Sequence, residues 1–159
     1  SAASDVYKRQ LMNQLFDDAQ AYNVDYGHTL NLDIDSHCDL IGSDMEIASA
    51  FSNLITNAIK YTPKGGTVTM GWHDDSESAY FVVEDTGIGI DPKHVPRLTE
   101  RFYRVDSDRS RRTGGTGLGL AIVKHVLMQH QAQLKIDSRE NQGSTFKVIF
   151  PKERLSFPD

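Results

Sequence analysis

Apolar residues spaced three and four apart predict three amphipathic helices in this chain. The first lies in residues 11–22, where Leu11, Leu15 and Ala19 fall on one face, and the chain then turns near Gly27. The second has the fuller apolar face, made by Ile47, Ala50, Phe51, Leu54, Ile55, Ala58 and Ile59. Ser43 followed by Glu46 predicts a capping box at its start. The third helix covers residues 118–128.

Alternating apolar and polar residues predict strands between and after these helices. The alternation first occurs at residues 28–35, and two further strands at residues 67–72 and 78–85 are joined by a polar turn. Residues 132–138 and 144–150 predict a closing hairpin. Because most of these strands pair as hairpins, the pattern indicates an α+β fold with five or six strands rather than a doubly wound sheet.

A long segment between the second and third helices follows neither period. Residues 86–116 contain glycine, proline and many basic residues. Loops longer than about 12–15 residues are usually lids, binding loops or disordered segments. This segment is therefore the first candidate for a functional region.

Composition narrows the possible functions. The chain of 159 residues has a net charge of −5 and a pI near 5.6, which argues against a general nucleic-acid-binding protein. No run approaches the roughly 18 apolar residues of a membrane-spanning helix. The first ten residues are small and polar, and we expect them to be a linker or an expression remnant.

The second helix carries a polar stripe beside its apolar face. Asn53 and Asn57 are four residues apart, Lys60 follows three residues later on the same face, and Tyr61 ends the helix. An amide oxygen is a neutral ligand suited to Mg²⁺, and a lysine binds phosphate as a point charge. The alternative is a solvated polar stripe, which surface helices commonly have.

A second candidate site follows the strand at residues 78–85. This strand ends in Asp85, and Gly87 and Gly89 come directly after it. Glycine at both positions lets the backbone approach a flat ligand closely. The carboxylate can accept a hydrogen bond from an exocyclic amine such as that of adenine. The alternative is an ordinary turn, which an Asp-Thr-Gly sequence also favours.

The third helix is preceded by basic residues and a glycine cluster. Residues 114–119 contain four glycines, but Leu120 rather than lysine follows Gly119, so the cluster is not a P-loop. Free backbone N–H groups at a helix start bind anions. Arg101 and Arg104 place positive charge nearby on an acidic chain, which favours an anionic ligand over a merely solvated loop.

In this order and spacing, these segments resemble the ATP-binding catalytic domain of sensor histidine kinases. NLITNAIKYT is similar to the N box of that family, DTGIGI to its G1 box, RFYR to its F box and GGTGLGL to its G2 box. The resemblance extends over about residues 11–151, and residues 97–125 resemble the phosphate-regulon branch of the family. It implies the Bergerat fold, shared with gyrase, Hsp90 and MutL. In this two-layer α/β sandwich, about three helices cover one face of a mixed, mainly antiparallel sheet, and a lid at residues 92–116 closes over ATP.

The resemblance also implies a role for each site residue. Asn57 would bind Mg²⁺, with Asn53 assisting near the phosphates. Lys60 would contact the phosphate chain, and Arg101 or Arg104 would steady the γ-phosphate. Adenine would be bound by Tyr61, Asp85, Gly87, Gly89, Ile90 and Thr145. Backbone donors to the phosphates would come from Thr116, Gly117, Leu118 and Gly119.

Asn53 bears on whether a domain of this fold hydrolyses ATP or transfers its phosphoryl group. Hydrolytic members have a glutamate one helical turn before the Mg²⁺-binding asparagine, and a neutral amide cannot replace that general base. A neutral imidazole is already a nucleophile and needs less activation than water. We therefore expect transfer of the γ-phosphoryl group of Mg-ATP to a histidine. An ATPase of the same fold, a nucleotide-sensing module without transfer activity and a serine kinase of the anti-sigma type are the alternatives.

The resemblance also bears on partners and domain limits. None of the six histidines lies in the family's acceptor context, so we expect the acceptor on a separate helical dimerisation and phosphoacceptor domain. ATP and Mg²⁺ are the implied cofactors, and a response regulator is the implied partner of the full-length kinase. That kinase would be a homodimer in the bacterial inner membrane, with this domain in the cytoplasm and monomeric in isolation. We assign residues 11–153 to the catalytic domain and 154–159 to a C-terminal tail.

Overall fold

The computed structural model describes residues 2–89, 93–97 and 119–157. Five strands form one sheet in the order β1-β3-β4-β6-β5, and two short strands, β2 and β7, pair with each other. The strands are β1 Thr29–Ile34, β2 Asp39–Leu40, β3 Thr67–Asp74, β4 Ser78–Asp85, β5 Gln133–Arg139, β6 Gly143–Pro151 and β7 Leu155–Ser156. The helices are α1 Ala2–Tyr22, α2 Asp44–Tyr61 and α3 Gly119–Gln129.

The sheet is mixed and mainly antiparallel, as predicted. Strands β1 and β3 are parallel, with Leu30 beside Val68, because α2 lies between them in the chain and carries it back to the same end of the sheet. The pairs β3–β4, β4–β6 and β5–β6 are antiparallel. The predicted fold class, an α+β sandwich with helices on one face of the sheet, is confirmed.

Helix α1 begins earlier than the apolar pattern predicts. It starts at Ala2 rather than near Leu11, so residues 2–10 continue the helix. Periodicity could not find this part because it has no apolar face, whereas Ala2, Ala3 and residues 8–10 are good helix formers. The assignment of residues 1–10 as a linker stays a prediction.

The predicted capping box at the start of α2 is confirmed in one of its two bonds. The Ser43 side chain accepts a hydrogen bond from the Glu46 backbone N–H at 3.4 Å. The Ser43 N–H donates to Nε2 of His130 at 3.1 Å instead of to the Glu46 side chain. The buried His130 donates from Nδ1 to the Val126 carbonyl at 2.7 Å, so it links the start of α2 to the end of α3.

The hydrophobic core lies between the helices and one face of the sheet. At its centre the rings of Phe51 on α2 and Phe81 on β4 are stacked with centroids 3.9 Å apart, and Phe150 on β6 meets Phe51 edge-on. Trp72 is fully buried and donates from Nε1 to the Cys38 carbonyl at 3.3 Å. This core keeps α2 in place over β3 and β4.

The C-terminal residues expected to form a tail are in part structured. Leu155 and Ser156 form β7, which pairs with β2, and Leu155 is buried in the core. The Arg154 side chain donates to the Gln131 side chain at 2.7 Å and to the Gln129 carbonyl at 3.2 Å. The sequence gives little signal here because a two-residue strand is too short to show a period.

The Leu155→Ala variant is expected to lower the free energy of unfolding by about 2–3 kcal/mol, because it removes a buried side chain and leaves a cavity. Phe157→Ala is the matched control, since Phe157 is 40% exposed beyond the end of β7. Urea unfolding measures both variants. Equal, small losses would show that β7 is not part of the cooperative fold.

Within the described residues, no helix combines the length and hydropathy that a membrane span needs.

Candidate functional site

The polar stripe on α2 is present as predicted. Asn53, Asn57, Lys60 and Tyr61 are all half-buried, whereas the core contains the residues Leu54, Ile55, Ala58 and Ile59 that lie between them in the chain. The Asn53 amide nitrogen donates to the Ser49 carbonyl one turn earlier at 2.9 Å, so its amide oxygen is the atom available to a ligand.

Asn57, Lys60 and Tyr61 have no side-chain hydrogen bond or ion pair within residues 2–89, 93–97 and 119–157. An unpaired lysine and an unpaired amide on one half-buried face fit an anionic ligand with a bound divalent cation. The geometry of the stripe therefore agrees with a phosphate and Mg²⁺ site.

Asp85 ends β4 on the side of the sheet that faces the helices. It shares this side with Phe81 and Val83, which alternate with exposed or half-buried residues along the strand. Its Oδ1 accepts a hydrogen bond from the Gly87 N–H at 2.9 Å. Burial raises the pKa of Asp85 above its usual 3.8, while the N–H groups of Gly87 and Ser144 act in the opposite direction.

The turn after β4 lies directly against the last turn of α2. A Cβ atom on Gly87 would be 2.9 Å from the Tyr61 carbonyl oxygen and 3.1 Å from the Thr62 hydroxyl, so the two segments touch through their backbones. The buried Thr62 donates from its hydroxyl to the Ala58 carbonyl at 2.7 Å. This contact brings Asp85 beside the end of the α2 stripe, which connects the two candidate sites.

The glycines of this turn are needed for contacts within the chain. Gly89 has φ +71°, and a Cβ there would lie 2.0 Å from the Arg139 carbonyl oxygen. The Ile88 carbonyl accepts from the Asn141 N–H at 2.5 Å at the tip of the β5–β6 hairpin. The sequence predicts that Gly87 and Gly89 allow close approach of the backbone to a ligand. In the structure, the close neighbours are α2 for Gly87 and the hairpin tip for Gly89.

The structure places Ser144, and not Thr145, on the same side of the sheet as Asp85. Ser144 pairs with Asp85 across β4 and β6, and residues directly opposite in a sheet share a face. Thr145 pairs with Glu84 on the other side, with the Thr145 hydroxyl 3.5 Å from Glu84 Oε1. The period of two in residues 144–150 carries this signal, because Ser144 alternates in step with the core residues Val148 and Phe150.

A depression of about 320 Å³ lies mainly on the opposite side of the sheet from the helices. Its walls include Thr69, Glu84, Arg139 and Thr145, and Asp85 and Ser144 line it as well. No residue of the α2 stripe lines this depression, so it does not join Asp85 to the stripe.

Several predicted site residues lie outside the described part of the chain. They are Ile90, Arg101, Arg104, Thr116, Gly117 and Leu118, together with most of the expected lid at residues 92–116. Within that segment the structure describes residues 93–97, which include the short 3-10 helix Val95–Arg97. Gly119 is the first residue of α3.

Known proteins are similar to this chain in both sequence and fold. One family model, described as "Histidine kinase-, DNA gyrase B-, and HSP90-like ATPase", matches residues 42–154. The Phosphate regulon sensor protein PhoR of Pseudomonas aeruginosa is 54% identical over 146 residues, and that of Haemophilus influenzae is 45% identical over 142 residues. These matches cover 92% and 89% of this chain but 33% of each relative, so the chain spans about a third of the length of these relatives.

A solved structure extends the similarity to the fold. The mycobacterial sensor histidine kinase MprB superposes with a TM-score of 0.80 at 28% identity, covering 91% of this chain and 95% of that chain. Its match covers nearly all of both chains, so the likeness concerns the whole domain and not one motif.

Proposed function

Because the chain belongs to the histidine kinase-, DNA gyrase B- and HSP90-like ATPase family, we propose that it is the ATP-binding catalytic domain of a sensor histidine kinase. It binds Mg-ATP and transfers the γ-phosphoryl group to a histidine on a separate domain. The observation that carries this proposal is the contact between the Gly87 turn and the end of α2, which joins the half-buried Asp85 carboxylate to the stripe that holds Asn57 and Lys60.

Asp85 provides the specificity for adenine in this proposal. Because its Oδ1 is held by the Gly87 N–H, the second carboxylate oxygen is the acceptor for the adenine amine. Tyr61 packs on the base, and Gly87, Gly89 and Ile90 shape the pocket. Ser144 takes the supporting role first assigned to Thr145, since Ser144 is on the side of Asp85.

The α2 stripe binds the phosphate end of the nucleotide. The Asn57 amide oxygen is the Mg²⁺ ligand, Asn53 assists, and Lys60 neutralises phosphate charge. Mg²⁺, when bound, stabilises the negative charge on the phosphates during transfer. Arg101, Arg104 and the backbone of residues 116–119 complete the phosphate site in this proposal.

Transfer is favoured over hydrolysis by the chemistry of Asn53. Its amide nitrogen donates a hydrogen bond to the Ser49 carbonyl, and an amide has no basic atom that can take a proton from water.

In the transfer step an imidazole nitrogen of the partner forms a bond to the γ-phosphorus. The bond from that phosphorus to the β–γ bridging oxygen breaks, and ADP leaves. The imidazole proton is lost to solvent.

The relatives support a proposal for the partners of the whole protein. The two curated relatives are phosphate-regulon sensor proteins, and we propose phosphate-regulon signalling as the setting for this chain as well. The direct partner is a helical dimerisation and phosphoacceptor domain, and a response regulator acts downstream. We place the domain on the cytoplasmic side of a bacterial membrane, within a homodimeric kinase.

The Asn57→Ala variant is expected to transfer phosphate at least about tenfold more slowly, because even the loss of a residue that only supports a metal ligand typically costs about 10–100-fold. The chain is mixed with a helical-hairpin domain bearing an acceptor histidine, radiolabelled ATP and Mg²⁺, and acid-labile phosphohistidine is measured. Asn31→Ala is the matched control, since Asn31 is exposed on β1 and its side chain makes one hydrogen bond within the described residues, to the Thr69 hydroxyl at 3.4 Å.

Two outcomes would contradict the proposed function. Release of ADP without phosphohistidine on the partner would identify an ATPase. Binding of nucleotide without either product would identify a sensing module.

A further inference from the structure

The last turn of α2 is held by a residue from a distant part of the chain. The final four carbonyl groups of a helix have no partner within the helix and must find one elsewhere. In α2 the Ala58 carbonyl accepts from the Thr62 hydroxyl, and the Ile59 carbonyl accepts from His28 Nε2 at 2.9 Å. His28 precedes β1 and is buried, with 7% of its surface exposed.

His28 is itself held by the segment that follows α1. The Asn23 side chain donates to the His28 carbonyl at 2.7 Å and accepts from the His28 N–H at 3.0 Å. Both backbone groups of His28 are therefore fixed by one amide, and the ring of Tyr26 packs 5.9 Å from the imidazole. These contacts hold the backbone of His28 and place its ring between Tyr26 and the end of α2.

The tautomer of His28 follows from its neighbours. Nε2 faces a carbonyl oxygen, so it carries the hydrogen. Nδ1 is buried and has no hydrogen-bond partner among the described residues. A hydrogen on Nδ1 would find no acceptor among the described residues, so His28 serves as a single N–H donor through Nε2.

We propose that His28 is a positioning residue for the nucleotide. The carbonyl that it holds belongs to Ile59, which directly precedes Lys60 and Tyr61. The Tyr61 carbonyl in turn packs against Gly87, the residue that fixes the Asp85 carboxylate. His28 thus fixes the position of the phosphate-binding groups relative to the adenine-binding groups, and it links both to the segment that follows α1. This inference rests on the proposed function.

The chain offers a matched control at the other end of the same helix. His130 is also buried and also makes one hydrogen bond to the backbone at an end of α2, here with the Ser43 N–H. That bond lies at the first turn, far along the helix from Lys60 and Tyr61. A general loss of α2 stability would act from either end, whereas positioning of the nucleotide depends on the His28 end alone.

The test measures Mg-ATP binding to the full 159-residue chain by calorimetry. His28→Phe keeps a ring but removes the donor, and we expect about 3- to 10-fold weaker binding. His28→Gln restores an N–H donor of similar reach and is expected to bind within about twofold of wild type. His130→Phe is expected to lower the unfolding midpoint while its affinity stays within about twofold.

Several results would overturn the positioning role of His28 or the proposed function. Wild-type affinity in His28→Phe, or an equal loss in His130→Phe, would overturn the positioning role. If His28→Phe does not fold, His28→Asn replaces it, because its shorter amide does not reach the Ile59 carbonyl. A ¹⁵N spectrum of the imidazole that shows the hydrogen on Nδ1 would also overturn the inference. A wild-type chain that binds no Mg-ATP would overturn the proposed function, and the positioning role with it.

Discussion

The Asp85→Asn variant is expected to bind Mg-ATP about 30- to 150-fold more weakly than the wild type. Hydrogen bonds to charged groups contribute roughly 1.5–3 kcal/mol, and about 2–3 kcal/mol corresponds to this loss. The geometry adds a second reason. The Gly87 N–H holds an oxygen at the Oδ1 position, so the amide nitrogen of the variant would face the ligand amine. Two donors would then meet where a donor and an acceptor are needed.

The same substitution is expected to leave the free energy of unfolding at pH 7 no lower than that of the wild type. Burial raises the pKa of Asp85 in the folded chain above its usual 3.8. The protonated group therefore stabilises the fold fully below pH 3.8, and this contribution is lost as the pH rises through the folded-state pKa. Urea unfolding at pH 7 and at lower pH should show the difference between variant and wild type shrinking toward acid.

Asp75→Asn is the control for both measurements. Asp75 is exposed in the β3–β4 turn, where its carboxylate accepts from the Glu77 and Ser78 N–H groups, and these bonds lower its pKa. Its stabilisation is therefore present above its usual pKa of 3.8 and lost as the pH falls, the opposite sign to Asp85. ATP affinity should be unchanged in this control. Normal ATP affinity in Asp85→Asn would remove Asp85 from the binding site.

The Gly89→Ala variant is expected to lower the free energy of unfolding by about 2–4 kcal/mol. Over-packing contributes about 1–3 kcal/mol and the left-handed backbone about 1 kcal/mol. The added Cβ would lie 2.0 Å from the Arg139 carbonyl oxygen, so either the turn after β4 or the tip of the β5–β6 hairpin must move. Since that turn also holds Asp85 through Gly87, ATP affinity should fall together with stability.

Gly65→Ala isolates the backbone part of this effect. Gly65 has φ +88°, but an added Cβ there meets no atom within 4 Å. Its cost should be about 1 kcal/mol, with no change in ATP affinity. Urea unfolding compares the two variants directly. An equal loss in both would show that the contact between Gly89 and the hairpin tip contributes nothing to stability.

Much of the fold could be predicted because its information is local. The apolar face of α2, its Ser43 cap and the alternation in β3, β4 and β6 appear in the sequence as periods and short motifs. The start of α1 has no apolar stripe that periodicity could detect, although Ala2, Ala3 and residues 8–10 are good helix formers. β7 was missed because two residues show no period.

The candidate site was predicted in part for the same reason. Asn53, Asn57 and Lys60 could be placed on one face because helical spacing alone decides this. The period of two in β6 places Ser144, and not Thr145, on the same side of the sheet as Asp85. Resemblance to the family implies Thr145 instead. The roles of residues beyond the described ranges stay predictions, and these residues include Arg101 and Arg104.

The sequence by itself determined where the periodic elements lie and which of their side chains share a face, because both follow from the period of a helix or strand. The tertiary structure alone decided which faces meet. The contacts of Gly89 with Arg139, Gly87 with Tyr61 and His28 with Ile59 join residues that are far apart in the chain or belong to different elements. Such contacts depend on strand order and helix packing, for which no local pattern carries a signal.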